Sequence, residues 1–404
     1  MTSPVDTSVK YFNSAMINAP VLSGTAGSLI ALLDACLKDG FDTKTLTSLV
    51  AASGVMTATF AGTHSALIDS VVLIAGVTGG PAGFAGANGE QKVTGVPGAT
   101  TRTWATTLPD GVYTGTITMK MAPLGFTKPF SGTNLAAYKS SDPASSGFYL
   151  RVDDTGTTSA RVVGYESMSD INTGAGPFPT AAQSAGGGYW AKSVNANSTP
   201  VVWAVHGDAR LFYITIQAGY SSGSNFQIAA TRCFGDPTAY KPGGDPYACV
   251  LNYSSASGVV SQSIGGVGTG QDNAVSACPR DYHGLGAGTV ASIFSFSSAG
   301  GGTYSGITDS MGIFPSVVDG GLWLAETYLA VAGVFVPRAK MPGFYRSPQS
   351  GVWNTFKMND RTPGSGLVAG RNLMAVTTGT TTYSTSSGAT NTGIAFLDVT
   401  GPWR

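Results

Sequence analysis

The chain has 404 residues, of which 11% are Asp, Glu, Lys or Arg and 42% are hydrophobic, and its formal net charge is zero. Ordinary soluble proteins carry about 25% charged residues, so this surface is covered by Gly, Ser, Thr and Asn instead, and the hydrophobic content excludes a disordered chain. The sequence has no block of basic residues, which excludes recognition of nucleic acid through its phosphates.

The start at Met1 lacks a basic segment followed by an apolar run, so no secretory signal is read there. The longest apolar stretch, Leu29–Leu37, is interrupted by Asp34 and is too short to cross a membrane. Synthesis in a cytoplasm without membrane insertion is the expectation. Residues Val9–Leu22 read as an extended arm. From Thr25 to Lys38 the spacing of Leu29, Leu32, Leu33, Cys36 and Leu37 predicts one amphipathic helix. Thr25 or Ser28 would cap its start and Gly40 its end. Arm and helix, residues 1–44, are expected to form a docking element separable from the rest, with Leu29, Leu32, Leu33 and Leu37 as its contact face.

After Phe41 the period changes to two. Leu46–Val50, Met56–Phe60, Ser70–Ala75, Thr101–Thr106 and Gly115–Met121 are short strand candidates, and Asp110-Gly111 is a hairpin turn signal. They predict a small β-barrel or sandwich module over 45–122. Within it, Gly80, Gly83, Gly86 and Gly89 start four G-X-Y triplets, too few for a collagen stalk, so a glycine-rich loop is preferred. Pro123 and Pro129 mark a boundary.

Residues 123–404 read as a large antiparallel β-sandwich. Its clearest strands are Phe148–Val152, Ala160–Tyr165, Pro200–Val205, Leu211–Gln217, Phe226–Thr231, Val290–Phe296, Tyr328–Val336 and Thr392–Val399. Turn-rich stretches near Gly186–Trp190, Lys241–Tyr247 and Gly300–Gly302 separate them. Tyr189, Trp190, Tyr240 and Tyr247 are the aromatics expected at the surface, suited to stacking on sugars or packing on a neighbour. The fold class is therefore mainly β.

Chemistry is sparsely signposted. Gly219–Gly223 matches G-x-S-x-G around Ser221, and His283 with Asp236 or Asp245 would satisfy the chain order of a triad. That motif needs a strand turning into a helix, and strand pattern follows it here, so a hairpin loop is preferred and no nucleophile is assigned. Cys278 and His283 make the nearest approach to a metal-ligand pair, without a second pair to complete it. Asp153-Asp154 reads as a tight turn before a calcium loop. Glu166, Glu326 and Asp208 with Trp203 can be assembled into a glycan-cleaving site, although nothing in their spacing selects them. Gly265–Gly270 resembles a phosphate loop in composition alone. Cys233 and Cys249 could approach each other, but a reducing cytoplasm favours thiols. No catalytic residue, cofactor or metal is assigned.

The segments Val9–Met16, Ala19–Leu37 and Asp39–Phe41 resemble the start of tail-associated proteins of tailed bacteriophages and prophages, found at the baseplate or tail tip. His64, Val71–Val77 and Asn88–Glu90 resemble a small β module of phage tail and fibre proteins. Ala122–Phe126, Phe130–Asn134, Arg151–Asp154 and Arg161–Glu166 continue the likeness, and Phe396–Arg404 is similar to the end of the same proteins. The resemblance covers most of the chain and carries no catalytic motif. It implies a virion protein made in a bacterial host, a structural part of the tail tip or baseplate whose partners are other tail proteins and copies of itself. A tail protein binding a host-surface glycan or receptor, a depolymerase and a capsid decoration protein are the alternatives.

Overall fold

The computed structural model describes residues 3–220, 227–258, 263–264, 275–295, 312–332, 336–349, 351–378 and 393–404. They form a mainly β protein with three antiparallel sheets of thirteen, eight and six strands and one short α-helix before residue 40. Among the described residues no sheet closes into a barrel. The motif around Ser221 and the stretches Gly265–Gly270 and Gly300–Gly302 lie wholly or partly outside the described residues.

The eight-stranded sheet occupies the segment read as a small module. Its centre is the twelve-residue strand Phe41–Ala52, which pairs with Val55–Phe60 on one side and Thr118–Met121 on the other. Ser53 and Gly54 join the first pair with φ of 52° and 78°, the left-handed geometry that matches a hairpin to strand twist. Asp110-Gly111 does not turn a simple hairpin. The strand Gly111–Tyr113 pairs back onto Phe41–Ala52, and Asp110 Oδ1 accepts the Ser53 N–H at 2.9 Å, bracing the other turn. The glycine triplets resolve into a short 3-10 turn, Phe84–Ala87, and the edge strand Gly89–Lys92.

The segment expected as one sandwich carries two sheets. The six-stranded sheet runs from Phe126–Gly132 through Leu135–Ser140, Tyr149–Asp153 and Ser159–Met168 to Gly174–Phe178, with Gly188–Ala191 also on Ser159–Met168. The thirteen-stranded sheet starts at Lys10–Asn13 and Val202–Gly207 and ends at Asn372–Thr377 and Arg361–Pro363. It curls until its two ends face each other. Arg361 donates to the Tyr11 hydroxyl at 2.8 Å, His206 Nε2 lies 3.2 Å from the Met374 sulfur, and Gln217 Nε2 donates to Thr377 Oγ1 at 2.9 Å. Of Tyr328–Val336, expected as one strand, Tyr328–Val331 ends the strand Ala325–Val331, residues 333–335 lie outside the described residues, and Pro337–Arg346 returns beside it.

The arm and helix are corrected most. Lys10–Asn13 is an edge strand of the thirteen-stranded sheet, in register from Lys10 opposite Gly207 to Asn13 opposite Ala204. Leu29, Leu32, Leu33 and Leu37 are fully buried in a core shared with Phe12, Tyr138 and Trp203. Their face is covered by the chain itself, so it offers no docking surface. The helix is also shorter than its pattern: α over Ser28–Leu33, then π over Asp34–Asp39. The Cys36 and Leu37 carbonyls are taken by the N–H groups of Leu124 and Gly125 at 2.9 and 3.0 Å, which accounts for the altered last turn.

Neither Thr25 nor Ser28 caps this helix through its side chain. Asp154, 125 residues away, accepts the Leu29 N–H at 2.8 Å and the Ile30 N–H at 3.2 Å on one carboxylate oxygen. Its other oxygen pairs with Lys192, and both side chains are fully buried. A carboxylate at a helix N-terminus satisfies orphan donors and the positive dipole end together. Asp153 does close a tight turn, accepting from Thr155, while its neighbour locks helix to sheet.

Candidate functional site

Ionic groups are few, and most of the acids suspected from the sequence are engaged with a cation. Glu166 receives two bonds from Arg280 at 2.7 Å each, Glu326 pairs with Lys340 and accepts from Tyr328 at 3.0 Å, and Asp208 pairs with Arg404 at 2.7 Å. Trp203 is buried, its indole donating to the Pro20 carbonyl at 3.1 Å. The structure therefore ties each member of the suspected glycan-cleaving set into a separate contact.

Cys278 and His283 are not brought together as ligands either. Cys278 is buried, and burial pushes its thiol up to about 12, whereas His283 is half exposed and faces Asp281 at 3.2 Å. Among the described residues no group of three or more His, Cys, Asp or Glu could hold a metal ion. Cys36, Cys233, Cys249 and Cys278 are buried thiols rather than disulfide partners.

The described surface holds an open cleft of about 560 Å³, between the loops after Gly235 and after Cys278 and the strand Pro337–Arg346. Its floor is built by Arg338, which clamps Asp245 through Nε at 2.7 Å and Nη2 at 3.1 Å and donates to the Arg280 carbonyl at 2.8 Å. The Asp245 and Arg338 side chains are 1% and 5% exposed, so this pair is a sealed, neutral base. Tyr240 and Tyr282 rise above it, 52% and 49% exposed, beside Val336 and Pro337. Lys241 donates to the Tyr282 carbonyl at 3.0 Å, tying the two tyrosine-bearing loops together. Asp281 accepts the Tyr282 N–H at 2.6 Å and faces His283.

A second cleft of about 520 Å³ lies on the other side of the same loop, with Ser146, Arg210, Asp236 and Arg404 on its walls. Lys241 and Asp245 line both.

Of the four aromatics expected at the surface, Tyr240 is open. Tyr247 is half-buried between the Phe148 ring, 6.2 Å away, and the Arg280 guanidinium, 4.7 Å from its centre. Tyr189 is half-buried with Arg161 3.9 Å over its ring. Trp190 is corrected outright: it is fully buried and its indole donates to the Asn252 carbonyl at 2.7 Å. The glycine-rich flank suggested a loop, whereas Gly188–Ala191 is a strand whose register points Trp190 inward. Tyr282 and Asp281 went unread. The cluster Asp281-Tyr282-His283 before Gly284, Gly286 and Gly288 carried the signal of an exposed polar-aromatic turn. No protein-family model matches the chain, and no curated protein is similar to it.

Proposed function

We propose that this chain is a structural component of a bacteriophage virion, at the tail tip or baseplate, assembling through contacts with other tail proteins and copies of itself. The observation that carries the reading is how its sparse charge is used. Ion pairs and charged hydrogen bonds tie segments far apart in sequence: Asp154 to Lys192 and the helix, Lys92 to the Val399 and Thr400 carbonyls, Arg361 to Asp69, Arg404 to Asp208. A chain whose sparse charges serve architecture, and whose sequence is rich in Gly, Ser, Thr and Asn in their place, suits permanent packing in an assembly. The resemblance of both chain ends to tail-associated proteins supports the tail as the location.

The test is the particle. Mass spectrometry and cryo-EM of purified virions should find the chain at the tail end in a fixed copy number. Particles of normal composition and morphology made without it would overturn the reading. The companion expectation is that Ser221 does not act as a nucleophile: purified protein should not react with a fluorophosphonate probe. Stoichiometric labelling at Ser221 would replace the structural reading with a hydrolase.

A further inference from the structure

We infer that the cleft of about 560 Å³ beside the loop from Tyr240 to Pro246 binds a neutral oligosaccharide. Volume comes first: about 560 Å³ is of the size that holds a small ligand. That volume exceeds what one sugar ring fills, so the ligand is an oligosaccharide.

The chemistry of the walls selects the ligand. Two half-exposed tyrosines line it, Tyr282 backed by the His283 ring 3.6 Å away and Tyr240 beside Tyr328, and each pairs an apolar ring with a hydroxyl at its tip, the combination that stacks on the C–H face of a pyranose while bonding its hydroxyls. Beneath them the Asp245–Arg338 pair cancels its own charge. What remains in the first cleft is one carboxylate, Asp281, and one ammonium, Lys241, so the lining has no net charge to attract an ion. Carboxylate and ammonium do offer an acceptor and a donor to vicinal hydroxyls. A phosphate or polyuronate would meet Asp281, and a basic peptide would meet Lys241. A neutral polyhydroxylated chain meets neither penalty.

Ordering cost is low, because the loop is already held. Gly244 N–H bonds the Lys241 carbonyl at 2.9 Å, Ala248 N–H the Asp245 carbonyl at 3.1 Å, and Tyr247 N–H the Asp245 carboxylate at 3.0 Å. Gly243 and Gly244 have φ of 80° and 88° with open space where a Cβ would stand, so the backbone here leaves the groove unobstructed. Preorganisation of this kind removes the entropic term that would otherwise oppose binding by a glycine-rich loop.

The test uses the full chain with three neutral probes, hexamers of β-1,4-linked N-acetylglucosamine, α-1,4-linked glucose and α-1,6-linked mannose, and one acidic probe, a galacturonate hexamer. Ligand-observed NMR and calorimetry should detect at least one neutral probe with millimolar or tighter affinity. That affinity should stay within about twofold between low and high salt, since screening acts on charged contacts. Tyr240→Ala and Tyr282→Ala should each weaken it about tenfold, Tyr282→Phe should keep it within about threefold, and Asp281→Asn should weaken it about threefold or more. Circular dichroism and the melting temperature check that these surface variants stay folded. Silence of all three neutral probes, binding indifferent to both alanine variants, or salt-dependent binding of galacturonate alone would each overturn the inference. None of these outcomes bears on whether the chain is found in virions.

Discussion

Two buried histidines contribute to the acid response of this protein. His206 is fully buried, burial lowering its pKa from 6.5 to about 3, with Arg361 adding to the effect. His64 is buried too, and burial lowers it to about 4 against the opposing pull of Asp42. Nδ1 of His206 and Nε2 of His64 meet no hydrogen-bond partner among the described residues, so a proton there would have nothing to bond. Both imidazoles are neutral in the fold but bind a proton near pH 6.5 once unfolded. Their contribution is thus intact above pH 6.5 and is lost as pH falls toward 4 and 3. Each unit of depression corresponds to about 1.4 kcal/mol. Urea unfolding should show stability falling between pH 7 and pH 4.5, and His206→Phe should flatten that slope. An unchanged slope in the variant would remove His206 from the account. Lys192 works differently: Lys192→Met strands the buried Asp154 carboxylate and should cost about 3–5 kcal/mol. Equilibrium denaturation measures it, and the double change with Asp154→Leu should recover part of the loss.

At the scale of elements, the helix and the last residues act as keystones. Leu32 is fully buried beneath the sheets, so Leu32→Ala should destabilise by about 2–5 kcal/mol. Removing residues 1–40 deletes both that core and the edge strand on Val202–Gly207, and the truncated chain should lose its cooperative melting transition. A folded, cooperatively melting truncation would restore the picture of a separable docking element. The C-terminus is pinned where Trp403 lies over Gly343. An added Cβ there would sit 2.1 Å from the indole, at φ of 70°, so Gly343→Ala should cost about 2–3 kcal/mol and, by pushing Trp403 toward water, red-shift the native emission. Tryptophan fluorescence during chemical unfolding reads both.

Across the whole molecule the two ends of the chain close the same structure. Lys92, buried in the eight-stranded sheet, donates to the Val399 and Thr400 carbonyls, and burial lowers its pKa from the usual lysine value. Gly401 lies against Asp6 and Val9 of the leader. Ending the chain at Asp398 would leave the Lys92 ammonium buried without those acceptors, a loss of about 3 kcal/mol or more. Lys92→Met in the shortened chain should recover part of it. If it does not, the C-terminal residues contribute by packing and not by holding this charge.

Sequence alone determined the β class, the strands whose apolar residues alternate, such as Val55–Phe60 and Tyr149–Asp153, and the presence of one early helix. These follow from local periodicity, which each segment carries within itself. Strands such as Lys10–Asn13, Gly188–Ala191 and Gly95–Gly98 lack that alternation and exist because a partner strand supplies their hydrogen bonds. The buried leucines were identified correctly as an apolar face, but which surface covers such a face is a tertiary fact. Tyr240 and the Asp281-Tyr282-His283 turn lie about 40 residues apart in sequence, and the clasp of Lys241 on the Tyr282 carbonyl brings them to one groove. Local pattern decides which residues turn inward. Only the closed set of long-range pairings, from Asp154 on a helix start to Arg404 on Asp208, decides what they meet there.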